Sequence, residues 1–442
     1  MAAPLPRRVL LAYGLPALPL AALTLPVFIF LPARYAELGL GLGTIGWALL
    51  LGRLWDGATD PLVGWLSDRT PGPWGRRRPW IAAGTPLTLL AVWFLLVPPA
   101  DAGLAHLLGW SFALYFGWTM VTVPLTAWGA ELTGDYDERS RVSGWLNGFL
   151  VAGTVTALVL PVAFGAGGVG QEAGALSVVA AFVLAALPPA VALLLAVVPE
   201  PPAAPAPRTG LKGGARLVLG NAPFRRLVLA YLLNGLANGL PAQLFLFYAA
   251  HVLQAGERAG LFLIVYFVSG IAAVPLWLRL SGRHDKHRVW CWAMLWACLW
   301  FAAVPLLGPG DGGLFLAVCV LTGLSLGADL VLPPSMQADA VDAETARTGA
   351  ARTGLYFALW GLATKLAVAL AAVGLPLASL AGFRAEGPNG PEALTALALL
   401  YGPLPVAFKL AAVALMWRHP LTRAVQAENR RRIAAGRREG CG

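Results

Sequence analysis

Charged residues are scarce in this sequence of 442 residues. They make up 12% of the chain, hydrophobic residues make up 58%, and the mean hydropathy is +0.69. A soluble domain has about 25% charged residues, so the composition excludes an ordinary soluble protein. It predicts an integral membrane protein.

Cysteine and histidine are also rare, with four and five residues respectively. The cysteines show no metal-ligand spacing, and a disulfide framework is not expected. The histidines fall at the ends of predicted spans or in loops, which argues against a histidine proton relay through the membrane. The sequence shows no paired nucleophile and base, metal cluster or phosphate loop, so we expect neither an enzyme nor a cofactor other than a coupling ion.

Apolar runs, by contrast, are abundant. We count roughly twelve of them, each about twenty residues long and thus long enough to cross a bilayer as a helix. Lipid cannot hydrogen-bond an open backbone, so these runs predict an all-α bundle. The first run has no small-residue cleavage site, and we expect it to remain as a span rather than to be removed as a signal peptide.

Basic residues concentrate in the loops after the second and fourth predicted spans, whereas the opposite loops have few. The positive-inside rule therefore predicts a multi-pass protein of the inner (plasma) membrane with both termini in the cytoplasm. This topology explains the net charge of +10, so no nucleic-acid partner is expected. The basic C-terminal tail is predicted to be disordered and attracted to anionic lipid headgroups.

A stretch rich in proline, glycine and alanine interrupts the spans halfway along the chain and predicts a linker. We therefore expect an N-terminal six-helix half (residues 1–198), a cytoplasmic linker (199–224), a C-terminal six-helix half (225–417) and a basic cytoplasmic tail (418–442). PLVGWLS at residues 61–67 is echoed by PLWLRLS at 275–281, each at the end of a span. Parallel six-helix repeats with a site between them are the plan of the major facilitator fold.

Two carboxylates lie within the second predicted span. Asp56 and Asp60 are four residues apart, so they project from one helix face and can hold a single cation between them. An ionisable residue in a spanning helix costs roughly 3 kcal/mol on insertion scales, which favours a functional role. The alternative is that Asp56 merely neutralises Arg53, one turn earlier. In the second copy of the repeat Gly270 and Val274 take the places of the two acids, so ion chemistry is predicted in one half only.

Several motifs together carry a family resemblance: WDGATDPLVGWLSDRT and GRRRPW around the second span, AELTGDYDERSR after the fourth, LNGLANGLPAQLFLFY in the seventh and ARTGLYFALWGLATKLA in the eleventh. Over nearly the whole chain the sequence resembles the glycoside-pentoside-hexuronide:cation symporters of the major facilitator superfamily. The resemblance implies alternating access and solute uptake coupled to sodium or protons.

The resemblance also implies a cation site formed by Asp56, Thr59, Asp60 and Thr119. Thr59 stands where the family pattern has an amide, so a sodium ion at Asp56 and Asp60 would lose one strong oxygen ligand, and proton coupling gains credibility. The lysine of the pattern matches Lys365, which we expect to face the carboxylates or the cavity. The alternative for this lysine is snorkelling to the membrane interface.

The solute site departs from the family pattern. Ala21 and Thr122 stand where a galactoside site would have acids, so the polar residues of the second half are expected to dominate recognition. The predicted solute-binding residues are Thr122, Trp145, Asn234, Asn238, Asp329 and Lys365. The alternatives are interhelical hydrogen bonding for the asparagines and packing for Trp145.

Charged residues near the basic loops predict a cytoplasmic gate between the two halves. The candidates are Asp68, Arg76, Arg77, Arg78, Glu131, Asp137 and Arg141. The alternative is that these arginines only set the topology.

The function predicted from these features is cation-coupled secondary active symport of a sugar or related small solute. Its partners would be the solute, a monovalent cation and the lipid bilayer, and the protein would act as a monomer. The missing acids leave an amphipathic solute such as a lysolipid as an alternative. A non-transporting receptor or scaffold is the third reading, and the acids within the membrane argue against it.

Overall fold

The computed structural model describes residues 5–70, 73–132, 136–166, 168, 170–199, 220–348, 353–385 and 388–439. Within this part of the chain the regular structure is helical, with no β-strand. Eleven of its helical segments are long and apolar enough to cross a membrane. The predicted all-α membrane fold is confirmed.

The first six spanning helices are α1 (Arg7–Glu37), α2 (Leu42–Arg69), α3 (Arg78–Leu96), α4 (Leu104–Glu131), α5 (Tyr136–Ala163) and α6 (Glu172–Val197). α2 is not one of the eleven apolar segments, because Arg53, Asp56 and Asp60 interrupt its apolar run. It has 28 residues and so extends about 42 Å, more than the thickness of a hydrocarbon core. With α2 the bundle has the twelve spans that the sequence predicts.

The last six spanning helices are α7 (Ala222–Phe247), α8 (Ala259–Arg283), α9 (Lys286–Phe301), α10 (Gly312–Thr348), α11 (Thr353–Ala371) and α12 (Pro391–Met416). A short helix, Gly374–Leu380, continues α11, and Gly402 divides α12 into two pieces. Asn221 caps α7, since its Oδ1 accepts a hydrogen bond from the Phe224 N–H at 3.2 Å. α7 thus begins within the segment predicted as linker, most of which lies outside the described residues.

The predicted disorder of the C-terminal tail is wrong, because residues Arg423–Glu439 form a helix, α13. Its sequence is rich in arginine and alanine, which are strong helix formers. The main-chain N–H of Arg423 donates to Asp285 Oδ1 at 2.9 Å, and Gln426 Nε2 donates to Asp342 Oδ2 at 2.7 Å. These bonds attach the first turn of α13 to the α8–α9 turn and to α10.

Glycine allows one pair of helices, α8 and α10, to cross closely. In the second half, Gly323 and Gly327 of α10 lie directly against the α8 backbone near Gly270, and a methyl group on either would overlap it. The corresponding crossing of α2 and α4 in the first half is instead occupied by polar side chains. The second half therefore has a tight backbone contact at the position where the first half has carboxylate and hydroxyl side chains.

The two ends of the bundle differ. We call the end that carries the loop between α2 and α3 the basic end, and the other the opposite end. At the opposite end Gly46 of α2 packs directly on Pro376, so that a methyl group at Gly46 would overlap the proline ring, and Gly43 packs near Ser379. These contacts join α2 to the continuation of α11 and close the bundle at the opposite end.

Candidate cation and solute site

α2 presents its two acids from one face in the middle of the bundle. Asp56 is buried, whereas the Asp60 side chain is about one third exposed to the cavity described below. Pro61 follows directly and has no N–H, so the carbonyl of Gly57 loses its usual helical hydrogen bond. This part of α2 therefore offers oxygen atoms from two carboxylates and a main-chain carbonyl within little more than one turn.

α4 and α11 each bring one side chain to these acids. Thr119 Oγ1 lies 3.3 Å from Asp56 Oδ1 and 2.9 Å from Asp60 Oδ1, so its hydroxyl bridges the two carboxylates. Lys365 Nζ lies 2.9 Å from Asp56 Oδ1 and 2.5 Å from Asp60 Oδ2. The ammonium group thus occupies the position between the carboxylates where a bound cation would make the same contacts.

Arg53 completes the charge balance of this cluster. Its guanidinium lies 4.0 Å from Asp56 Oδ2 and is stacked over the Tyr115 ring at 4.7 Å. Two acids and two bases make the cluster neutral, which is the expected arrangement for charges removed from water. The pairing of Asp56 with Arg53 that the sequence offered as an alternative is present, but Lys365 pairs with both acids as well.

The donor set suits a single monovalent cation. Two carboxylates and the Thr119 hydroxyl are hard oxygen ligands of the kind sodium accepts, and a proton needs only one of the carboxylates. Thr59 is buried nearby, but its hydroxyl donates to the main-chain oxygen of Asp56 at 3.1 Å. Among the described residues no group of three or more His, Cys, Asp or Glu side chains is placed to hold a metal ion.

A cavity of about 600 Å³ adjoins the acids and lies between the two halves. Asp56, Asp60 and Lys365 form part of its wall, and Thr122 and Asn238 face it from α4 and α7. Most of the remaining wall is apolar: Leu23, Leu25, Val27, Phe28, Leu114, Trp118, Phe267, Leu326 and Val368. The volume lies in the range of sites for small organic ligands.

A second buried charge cluster lies in the second half, and the sequence analysis missed its lysine. Lys409 of α12 is buried, and its Nζ lies 2.7 Å from Asn234 Oδ1 and 3.7 Å from Asp329 Oδ2. Trp290 Nε1 donates to Asp329 Oδ1 at 2.6 Å. The signal for Lys409 was the one used for Lys365, an ionisable residue within an apolar run. Charge is therefore buried in both halves, although in the second half it lies on α10 and α12 rather than on α8.

Asp329 fixes the orientation of Asn238. Asn238 Nδ2 donates to Asp329 Oδ2 at 2.9 Å, and an ionised carboxylate can only accept. The amide of Asn238 must therefore turn its nitrogen toward Asp329, which leaves its carbonyl oxygen available to the cavity. Asp329 does not line this cavity, but it sets the orientation of Asn238, which does.

The structure separates some of the predicted solute residues from the cavity. Trp145 lies on α5 with Arg141 and Phe149, along a different groove, and its ring packs on Phe149 at 6.2 Å. Asn234 is buried against Lys409. The structure thus brings Thr122, Asn238 and Lys365 together, holds Asn234 and Asp329 behind them and places Trp145 elsewhere.

The predicted gate residues lie at the basic end. Arg77 donates to Ser67 Oγ at 3.0 Å, and Arg78 donates to the Val198 carbonyl at 2.9 Å, so both contacts are within the first half. Arg76 is buried and Arg141 is exposed on α5. The side chains of Asp68, Glu131 and Asp137 lie outside the described residues, and the gate stays a prediction.

A twelve-helix bundle in which acids of α2 meet a lysine of α11 beside a central cavity has the architecture of a membrane transporter. The chain belongs to the MFS/sugar transport protein family, whose family model matches residues 12–423. The predicted family, transporter class and non-enzymatic nature are confirmed.

Several relatives that match most of the chain are named as symporters. The uncharacterized symporter sll1374 of Synechocystis is 26% identical, with 90% of this chain and 91% of that protein covered. The sodium-dependent lysophosphatidylcholine symporter 1 of Homo sapiens is 25% identical over 88% of this chain and 79% of its own length. A protein of Escherichia coli provisionally described as glycoside/cation symporter YagG is 24% identical, with 83% and 82% covered.

Solved structures share the fold. The nucleoside transporter NupG superposes with a TM-score of 0.63 at 12% identity, covering 92% of this chain and 98% of that one. A bacterial homolog of the human lysosomal transporter Spinster, in an inward-facing and unoccupied conformation, superposes with a TM-score of 0.64 at 15% identity, covering 97% and 98%. At these identities the similarity concerns the fold alone.

Proposed function

We propose that this chain is a secondary active symporter that couples a proton or a sodium ion to the movement of a sugar or related small solute by alternating access. The contact of Lys365 with both Asp56 and Asp60, across the two halves and at the cavity wall, carries the proposal. Relatives named as symporters support it.

In this mechanism Lys365 is an internal counter-ion. A cation that binds at Asp60 neutralises this carboxylate in place of Lys365, and the ammonium group of Lys365 then turns toward the cavity. The ammonium group then donates hydrogen bonds to the solute. The Asn238 carbonyl accepts a hydrogen bond from the solute, and so does the Thr122 hydroxyl, whose own hydrogen is donated to the Trp118 carbonyl at 2.9 Å. The solute site is complete only once the cation has arrived, which couples the two binding events.

The closed opposite end indicates the side of the membrane to which the cavity opens in this conformation. The positive-inside rule assigns the basic end to the cytoplasm, so the contact of Gly46 with Pro376 closes the outside of an inward-facing state. In the outward-facing state Arg76, Arg77 and Arg78 would instead help to join the halves at the basic end. We assign the protein to the inner membrane with both termini in the cytoplasm, acting as a monomer because the cavity and both charge clusters are formed within one chain.

A second candidate, transport of an amphipathic solute such as a lysolipid, is favoured by the apolar lining. Leu23, Leu25 and Phe28 on one side and Phe267 on the other offer a surface for an acyl chain. The relative that is a lysophosphatidylcholine symporter supports this candidate. In either case Lys365 and Asn238 would serve the polar part of the solute.

Uptake into vesicles tests the proposal. Radiolabelled sugars and lysolipids are offered with and without sodium and proton gradients, and we expect one class to accumulate only with a gradient. Asp60→Asn should abolish accumulation but leave downhill exchange, because a neutral side chain mimics the state with bound cation. Asp101→Asn, at an exposed position, is the control. Unchanged accumulation in Asp60→Asn would end the proposal for the cation site.

A further inference from the structure

Two carboxyl groups meet at the opposite end of the first half, far from the acids of α2. Glu37 is the last residue of α1 and Glu172 the first of α6, and their side chains are within hydrogen-bond reach of one another. The Glu37 side chain is one third exposed, whereas Glu172 is only 1% exposed. A buried contact of this kind between acids is unfavourable if both are ionised.

The hydrogen bonds around Glu172 are incomplete. Its Oε2 is buried and receives no hydrogen bond from the described part of the protein. A buried polar atom without a partner is rare in folded proteins. The missing partner is supplied if one of the two carboxyl groups carries a proton.

The surroundings decide which acid is ionised. Arg34 NH1 lies 3.0 Å from Glu37 Oε2, so Glu37 has a compensating charge. The parts of α3 and α5 that reach this end contain no charged residues, and His106, at the start of α4, turns its Nε2 to the Phe94 carbonyl at 2.8 Å. Because Arg34 pairs with Glu37 and no ion pair of Glu172 is seen among the described residues, the proton belongs on Glu172.

We propose that Glu37 and Glu172 share one proton and form a proton-binding site separate from Asp56 and Asp60. Protonated Glu172 donates to ionised Glu37 and ties the start of α6 to the end of α1. The connection extends to the second half, because Gly168, whose N–H donates to Gln171 Oε1 at 3.0 Å, lies against the Glu257 backbone. Loss of the proton would place two negative charges side by side and loosen this junction.

Infrared spectroscopy of the purified protein tests for the proton directly. We expect the carbonyl band of a protonated carboxylic acid at neutral pH in the wild type, its loss in Glu172→Gln and its persistence in Asp60→Asn. The wild-type band should fade as the pH is raised into the alkaline range. A spectrum of Glu172→Gln that matches the wild type would overturn the proposal.

Backbone hydrogen exchange tests the consequence. After correction for the intrinsic pH dependence, amides at the start of α6 should exchange at least several-fold faster at alkaline than at neutral pH in the wild type. Glu172→Gln should remove this difference, because the amide donates to Glu37 at every pH, whereas Glu172→Ala should exchange fast throughout. Equal pH responses in the wild type and Glu172→Gln would contradict the proposal.

A further variant covers the case that Glu172→Gln fails to fold. In Glu37→Gln the amide donates to Glu172 and favours its ionised form, so the acid band should disappear at lower pH than in the wild type. An unchanged pH of disappearance would exclude a shared proton.

Discussion

Lys365 occupies the position between Asp56 and Asp60 that the coupling cation would take. In Lys365→Met the two carboxylates lose that partner, and an uncompensated buried charge costs about 3 to 5 kcal/mol. We expect the variant to be less stable without sodium and to recover with sodium chloride, but not with choline chloride, more strongly than the wild type does. Thermal unfolding of the purified protein measures this.

Lys286→Met is the control for that experiment. Lys286 also pairs with a carboxylate, Asp339, at 2.5 Å, but at the basic end and away from the central cavity. Its loss should lower stability without any specific response to sodium. If Lys365→Met recovers at low pH instead of with sodium, the coupling ion is the proton. Recovery by neither would contradict the role of Lys365 as a counter-ion.

The spacing of Asp56 and Asp60 within an apolar helix predicted that they share one site, and the family resemblance added Thr119 and Lys365; the structure brings these four residues together. Sequence reasoning could not separate Trp145 from the cavity, since the rotation of α5 about its axis is set by packing that a weak hydrophobic period does not encode. Contacts between distant spans, such as the acid pair of α1 and α6, were invisible for the same reason.

His419 makes stability depend on pH. It is buried beside the His287 ring at 5.9 Å, and burial, with His287 and Arg226 nearby, lowers the pKa of His419 from 6.5 to about 4. The unfolded chain therefore binds a proton between these pH values that the folded protein does not. Stability should fall as the pH drops from 6.5 to 4, by about 3 kcal/mol at most.

His419→Asn should flatten this acid loss, whereas His284→Asn, at an exposed ring, should keep it. Unfolding profiles of the three proteins over that pH window provide the measurement. A variant at 419 with the wild-type slope would exclude His419 as the cause.

Among the elements, α13 shows how composition misleads. The low hydropathy of this arginine-rich segment predicts disorder, yet the segment consists of good helix formers and its first turn donates to two carboxylates. Asp285 of the α8–α9 turn and Asp342 of α10 accept hydrogen bonds from its first turn. Sequence alone could not show that these acceptors lie beside the tail.

The junction of α2 with the continuation of α11 gives a prediction at the same scale. In Gly46→Ala the new methyl group overlaps Pro376, and overpacking of this kind costs about 1 to 3 kcal/mol. We expect a lower unfolding temperature and easier opening of the opposite end. Gly109→Ala, on α4 where an added Cβ meets nothing within 4 Å, should be neutral or stabilising by up to about 1 kcal/mol. Equal effects of the two changes would show that the junction is not tightly packed.

At the scale of the whole molecule, the two halves use one plan for different tasks. The crossing of α2 and α4 holds acids and a hydroxyl, whereas the crossing of α8 and α10 is sealed by glycine. The sequence indicated this asymmetry through Gly270 and Val274. Which end of the bundle is closed could not be predicted, because both conformations of an alternating-access transporter must be compatible with one sequence.

The link between the halves leads to a prediction about binding as a whole. If a cation at Asp60 releases Lys365 toward the solute, each ligand must strengthen the binding of the other by the same factor, because coupling free energy is reciprocal. Typical couplings correspond to about 5-fold to 150-fold. Titrations should therefore give a cation affinity raised by the accumulated solute, and a solute affinity raised equally by the cation. In Lys365→Met the factor should fall toward one while Asn238→Ala, which removes only a solute contact, should lower solute affinity and keep the factor. A factor in Lys365→Met as large as in the wild type would show that Lys365 does not connect the two sites.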